Sequence, residues 1–97
     1  MIDKHQPFRS EPWLRAVRSL EYCVICGAYG VEAAHRNRGK GASMKTSDCL
    51  TAALCRECHT NIDQGKTMTR EERRTLLDHA IILTVEKLAQ IGAVGVL

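Results

Sequence analysis

The spacing of the cysteines and histidines limits the chemistry this chain can do. Two Cys-x-x-Cys pairs, Cys23/Cys26 and Cys55/Cys58, can supply four thiolates to one tetrahedral zinc, the usual chemistry of a closed structural site. Two residues between the sulfurs suit a tight turn that aims both side chains at one ion. The competing reading is two disulfides or four buried thiols. No secretory signal segment directs the chain to an oxidising compartment, so zinc is the expectation. Directly after Cys58, His59 and Asp63 stand four residues apart. On a helix they share one face and could hold a second metal ion. His35 stands apart from both groups, and histidine is the side chain best able to accept a proton near neutral pH.

The elements that must position these residues can be read from pattern. Residues 1–9 read as a polar tail that includes His5 and Pro7. Ser10-Glu11-Pro12 reads as a helix start, and Trp13, Leu14, Val17 and Leu20 recur at helical spacing, so a short helix is expected over 10–20. Arg15 and Arg18 fall on its other side, as a solvated face or a phosphate-contacting one. Tyr22 to Gly30 is the first cysteine turn, with Gly27 and Gly30 suited to positive φ. Residues 31–35 read as a short strand ending at His35. The loop over 36–47 is small, polar and cationic, and Arg36, Arg38, Lys40 and Lys45 there are candidate phosphate contacts, with Gly39 and Gly41 allowing close approach. Asp48 to Leu54 is expected as a second strand, running into the second cysteine turn and a helix of about two turns that ends near Gly65. Thr69-x-x-Glu72 matches a capping box and opens the longest helix, expected over 69–91 and ending before Gly92. Its apolar stripe is Leu76, Leu77, Ala80, Ile81, Thr84, Val85 and Leu88; Ile82 and Leu83 widen it enough to suggest a homodimer contact. His79 is expected to be solvated or structural, Cys49 a small buried side chain, and residues 93–97 an apolar tail.

Ninety-seven residues make a single domain with room for only a modest core. One Trp, one Phe and two Tyr leave that core short of large anchors, and a structural metal is the natural supplement. Lys and Arg exceed Asp and Glu by 14 to 11, a net charge of +3, which is compatible with a polyanionic partner without requiring one. The apolar run at 81–85 is broken by Glu86 and Lys87, so no membrane span is expected. The composition suggests a soluble protein of a reducing compartment.

Taken together, Cys-x-x-Cys, then Ala-Ala-His35-Arg, a Gly/Lys loop, and Leu-Cys-x-x-Cys-His59-x-x-x-Asp63 resemble the HNH endonucleases of the ββα-metal (His-Me finger) group. The likeness covers about residues 20–66 and is nearest to small phage- and prophage-encoded, YbcO-like nucleases. It implies an α+β fold: a zinc-stapled ββα-metal core over 21–66, flanked by an N-terminal helix and a long C-terminal helix. It also implies a bacterial or phage-infected cytoplasm. In that family scheme His35 is the general base. His59 and Asp63 hold one divalent ion, Mg²⁺ or another, which binds a phosphate oxygen and the leaving 3′-oxygen. The expected substrate is nucleic acid, DNA in the first instance, cut to 5′-phosphate and 3′-hydroxyl ends. For the scheme to operate, the imidazoles of His35 and His59 must face one another across a space open to a phosphodiester.

Two positions depart from the family pattern. Ala34 stands where many members carry Asp or His as a further ligand, leaving two protein ligands for the ion. The middle Asn, which orients the base, has no clear counterpart; Asp48, Cys49 and Thr51 are all open. His35 could itself be a ligand. Outside the enzyme class stand a non-catalytic zinc-ribbon-like module that binds nucleic acid, and an inactive scaffold acting through its long helix in phage assembly.

Overall fold

The computed structural model describes residues 6–36 and 46–96. Its centre is a two-stranded antiparallel ribbon, β1 (Glu32–His35) and β2 (Thr51–Leu54), in the register Glu32↔Leu54, Ala33↔Ala53, Ala34↔Ala52 and His35↔Thr51. Three helices surround it: α1 (Glu11–Arg18), α2 (Arg56–Gln64) and α3 (Arg70–Gln90). The expected α+β class, with a short N-terminal helix and a long C-terminal one, is what the chain forms.

Alternation along a strand gives the ribbon two faces. On one, Ala34, Ala52 and Leu54 pack with Cys23, Cys55, Ile62 of α2, and Leu77, Ala80 and Ile81 of α3. On the other, Ala33 and Ala53 pack with Trp13, Val17 and Leu88. Four of the eight strand residues are alanine, so both layers of helix can approach the ribbon closely. The helix α3 feeds both clusters because it passes along the outer edge of β2. There Thr84 accepts a hydrogen bond from the Ala53 amide at 3.0 Å and donates to the Ala80 carbonyl at 2.8 Å. The Ala53 carbonyl accepts from the Val24 amide at 3.0 Å. A helix side chain and the first cysteine turn thus cover β2 where a third strand would otherwise pair. Among the described residues, no strand lies beyond β1, so its outer side is the open edge.

Local signals explain the ends of the helices. Ser10 caps α1 by accepting from the Trp13 amide, with Pro12 in the first turn. The capping box of α3 is complete: Thr69 Oγ1 accepts from the Glu72 amide and Glu72 from the Thr69 amide. Gly27 and Gly30 have φ of 79° and 94°, as their place in the first turn requires.

Three expectations are corrected. The helix α1 stops at Arg18, and Glu21 follows in a turn with φ 72°. Residues 48–50 are turn rather than strand, because Ser47 accepts from the Leu50 amide and Asp48 from the Thr51 hydroxyl through their carbonyls. The N-terminal segment is no free tail over Phe8 and Arg9. The Phe8 amide donates to Ser47 Oγ at 2.9 Å, its carbonyl accepts from the Asp48 amide at 2.8 Å, and its ring meets Trp13 edge-to-face. In the long helix, Leu77, Ala80, Ile81, Thr84 and Leu88 are buried as expected, whereas Ile82 is 66% exposed and Val85 is exposed too. Among the described residues no helix is long and apolar enough to cross a membrane.

Thr84 is the core residue with the most to lose from an isosteric change. Thr84→Val keeps the volume but orphans the Ala53 amide, and should cost about 1–3 kcal/mol. Thr84→Ser should cost less; denaturant unfolding of the two variants measures the difference.

Candidate functional site

The two cysteine pairs converge. Cys23 and Cys26 lie on the turn before β1; Cys55 follows β2 and caps α2, and Cys58 sits in the first turn of that helix. All four Sγ atoms fall within 4.8 Å of one another, and Cys26 and Cys55 are 3.6 Å apart. A tetrahedral zinc with ~2.3 Å bonds sets its sulfurs roughly 3.8 Å apart, so the cluster has the right size for a metal ion. None of the four is joined in a disulfide in the structure. Burial pushes the Cys23 thiol up, but the backbone amides of Cys26, Cys55 and Ile25 outweigh it and bring it down to about 6. Burial, then the sulfurs of Cys55, Cys26 and Cys23, push Cys58 far up. The four sulfurs therefore resist sharing negative charge, and a divalent cation at their centre removes that resistance. Cys49 lies outside the cluster and is half-buried rather than buried.

The helix that starts at Cys55 also carries His59 and Asp63. His59 Nε2 lies 3.3 Å from Asp63 Oδ2, the i,i+4 contact expected from spacing. On the other side of the ring, Nδ1 lies 2.7 Å from Oε1 of Glu32, the first residue of β1. The His59 hydrogen bond, joined by Arg56 at 3.6 Å, holds the Glu32 carboxyl below its usual 4.5. An ionised carboxylate only accepts, so Nδ1 donates to Glu32; Nε2, beside the second carboxylate of Asp63, would give its lone pair to an ion held between the two. A carboxylate that orients a ligating imidazole in this way is a recurrent support of metal sites. An octahedral ion with ~2.1 Å bonds would set two neighbouring ligand atoms about 3.0 Å apart, close to the spacing of the pair. Glu32 went unnoticed in the sequence because it lies 27 residues from His59.

His35 is placed differently. Its Nε2 is 2.9 Å from Oδ1 of Asp48, whose side chain is only 8% exposed. Of the three residues open as its orienting partner, Asp48 is the one that hydrogen-bonds its ring; Thr51 stands opposite it in the strand register. The same carboxylate accepts from the Ser10 amide at 2.8 Å and from Arg9 at 3.1 Å. The bonds from His35, then Ser10 and Arg9, hold its acid below the usual range. His35 stands three positions after Glu32, an odd step on a pleated strand. Glu32 therefore shares the face of Ala34, beside α2, while His35 shares the face of Ala33, beside α1. The two imidazoles do not face one another across one cleft; they flank the ribbon from opposite faces.

The cationic candidates divide. Arg36 forms a two-point ion pair with Asp78 of α3, at 2.8 and 3.3 Å, which raises its already high pKa and ties the end of β1 to the long helix. That guanidinium, about a third exposed, is already paired within the chain. Arg38, Lys40 and Lys45 lie outside the described residues. Arg18 pairs with Glu11 at 2.7 Å. His79 is exposed, as expected, and lines a 390 Å³ cleft with Glu71, Glu72, Thr75 and Leu76, remote from the candidate residues in sequence and element. No protein-family model, curated protein or solved structure matches the chain.

Two outcomes follow from this geometry. Cys55→Ser removes one sulfur of the cluster while leaving a residue able to cap α2, so it should abolish stoichiometric metal binding and leave a chain without cooperative thermal unfolding. Glu32→Ala should weaken Mn²⁺ binding about 10- to 100-fold by paramagnetic resonance titration while leaving the four-sulfur site loaded.

Proposed function

We propose that this protein is a small metal-dependent nuclease of the HNH kind, cutting phosphodiester bonds in nucleic acid, DNA in the first instance. In this reading the four cysteines hold a structural zinc, His59 and Asp63 hold a divalent ion, and His35 is the general base. The observation that carries it is the chain Glu32–His59–Asp63, which sets Nε2 of His59 3.3 Å from Oδ2 of Asp63, near metal-ligand spacing, with Glu32 on the other ring nitrogen.

Each residue has a defined task. His59 and Asp63 bind the ion, and Glu32 fixes the tautomer of His59. The bound ion supplies charge for the departing 3′-oxygen, which is otherwise a poor leaving group. His35 takes a proton from water; the water oxygen forms the new bond to phosphorus as the bond to the 3′-oxygen breaks and its electron pair stays with that oxygen. His35 and the His59/Asp63 pair belong to opposite faces, but among the described residues no strand covers the outer side of β1. In place of the single cleft that the family scheme requires, this reading needs a phosphodiester laid along that edge to reach side chains from both faces. All three side chains are partly exposed, between 28 and 36%.

One observation favours a second reading. His35 sits on the face packed by α1, where its bond to Asp48 also helps dock the N-terminal segment. A non-catalytic zinc module that binds nucleic acid would use His35 only in that structural way.

Plasmid nicking with Mg²⁺ or Mn²⁺ separates the two. Wild type should cut only with added divalent ion, and His59→Ala and Asp63→Ala should abolish cutting with zinc retained. His35→Ala should lower the rate about 10²- to 10⁴-fold, the range for loss of a general base. Full activity in His35→Ala would reassign the base, and a wild type that binds DNA without cutting it would establish the second reading.

A further inference from the structure

Asp48 is held more tightly than an orienting carboxylate needs to be, and what holds it is the segment just before α1. Oδ2 accepts the Ser10 amide at 2.8 Å, while Oδ1 accepts both His35 Nε2 at 2.9 Å and Arg9 Nη1 at 3.1 Å. The same Arg9 nitrogen reaches the Thr46 carbonyl at 3.0 Å. Phe8 pairs its backbone with Ser47 and Asp48 and rests its ring on Trp13. The carboxylate cannot rotate without breaking bonds to two other parts of the chain. An ionised carboxylate has no proton to give, so the hydrogen between it and His35 lies on Nε2. Among the described residues Nδ1 makes no hydrogen bond, and a third of the side chain is exposed.

We propose that the Phe8–Ser10 segment is part of the base: through Arg9 and the Ser10 amide it positions Asp48 so that His35 stays the Nε2–H tautomer, and Nδ1 is the atom that takes the proton from water. The proposal rests on the nuclease reading and adds to it the accepting atom and two positioning residues. When Nδ1 takes the proton, the ring becomes an imidazolium with hydrogens on both nitrogens, and Asp48 faces the new charge without itself being protonated. Arg9 acts through Asp48 and is a positioning residue.

The Ser10 amide makes the proposal testable. It is a fixed backbone donor, whereas Arg9 can fall back on the Thr46 carbonyl. In Asp48→Asn the new side chain must keep its oxygen toward Ser10 and turn its NH₂ toward His35. Nε2 must then accept, and the proton moves to Nδ1, the atom that should be accepting one.

Long-range ¹H–¹⁵N correlation spectra of the zinc-loaded protein report the tautomer of His35 directly, with no need for turnover. Wild type should show Nε2–H and Asp48→Asn should show Nδ1–H, with cutting reduced by at least 100-fold and thermal unfolding still cooperative. Arg9→Ala should lower kcat about 10-fold with KM unchanged, and Arg9→Lys should recover part of that loss. Wild type with Nδ1–H, or an Arg9→Ala variant whose KM alone rises, as loss of a phosphate contact would produce, overturns this proposal and leaves the nuclease reading standing. Wild type with Nε2–H but no metal-dependent cutting overturns the nuclease reading, and the role given to the segment with it. If Asp48→Asn does not fold, the wild-type tautomer and the Arg9 kinetics decide by themselves.

Discussion

Four thiols gathered within 4.8 Å are the constraint on which the rest of this structure depends. One pair precedes β1, and the other spans the junction of β2 and α2. Closing them on one ion would fix the angle at which α2 leaves the ribbon and the register in which it returns beside β1. That return is what brings His59, one residue past the last cysteine, to Glu32 at the start of β1. Without a cation the arrangement is electrostatically awkward: Cys23 is drawn toward the thiolate by backbone amides while Cys58 is pushed strongly the other way. A chain of this size with one Trp and one Phe has no large core with which to offset that cost.

The remaining stability comes from close packing of small side chains and from buried polar groups that are satisfied. Four alanines in the ribbon admit helices on both faces, and α3 serves both clusters by running along the covered edge of β2. Thr84 is fully buried in the middle of that helix, where its hydroxyl substitutes for a strand carbonyl. The Arg36–Asp78 pair and the Asp48 bonds tie the remaining ends of the ribbon to α3 and to the N-terminal segment. One edge is thereby closed, and among the described residues no strand covers the other.

Much of this was legible from local pattern. The Cys-x-x-Cys pairs, the His59/Asp63 step of four, the Ser10 and Thr69 caps and the stripe of α3 all depend on neighbours within a few residues, where geometry is nearly forced by spacing. What escaped reading depends on contacts between distant parts of the chain. Glu32 with His59, Asp48 with Ser10 and Arg9, and Arg36 with Asp78 are single side-chain pairings that leave no periodic trace. Phe8 and Arg9 looked like a tail because no regular element holds them; backbone bonds to Ser47 and Asp48 do. One miss was avoidable. Alternation in a strand already said that residues an odd number apart face opposite ways, and it separates His35 from Glu32, and so from the side of the ribbon where α2 packs.

The central claim, that a four-sulfur metal site organises the fold, is open to direct measurement by X-ray absorption at the zinc edge of the purified protein. The account predicts one zinc per chain with a first shell of four sulfurs at about 2.3 Å. A first shell containing nitrogen or oxygen, or a folded chain with no stoichiometric metal, would contradict it.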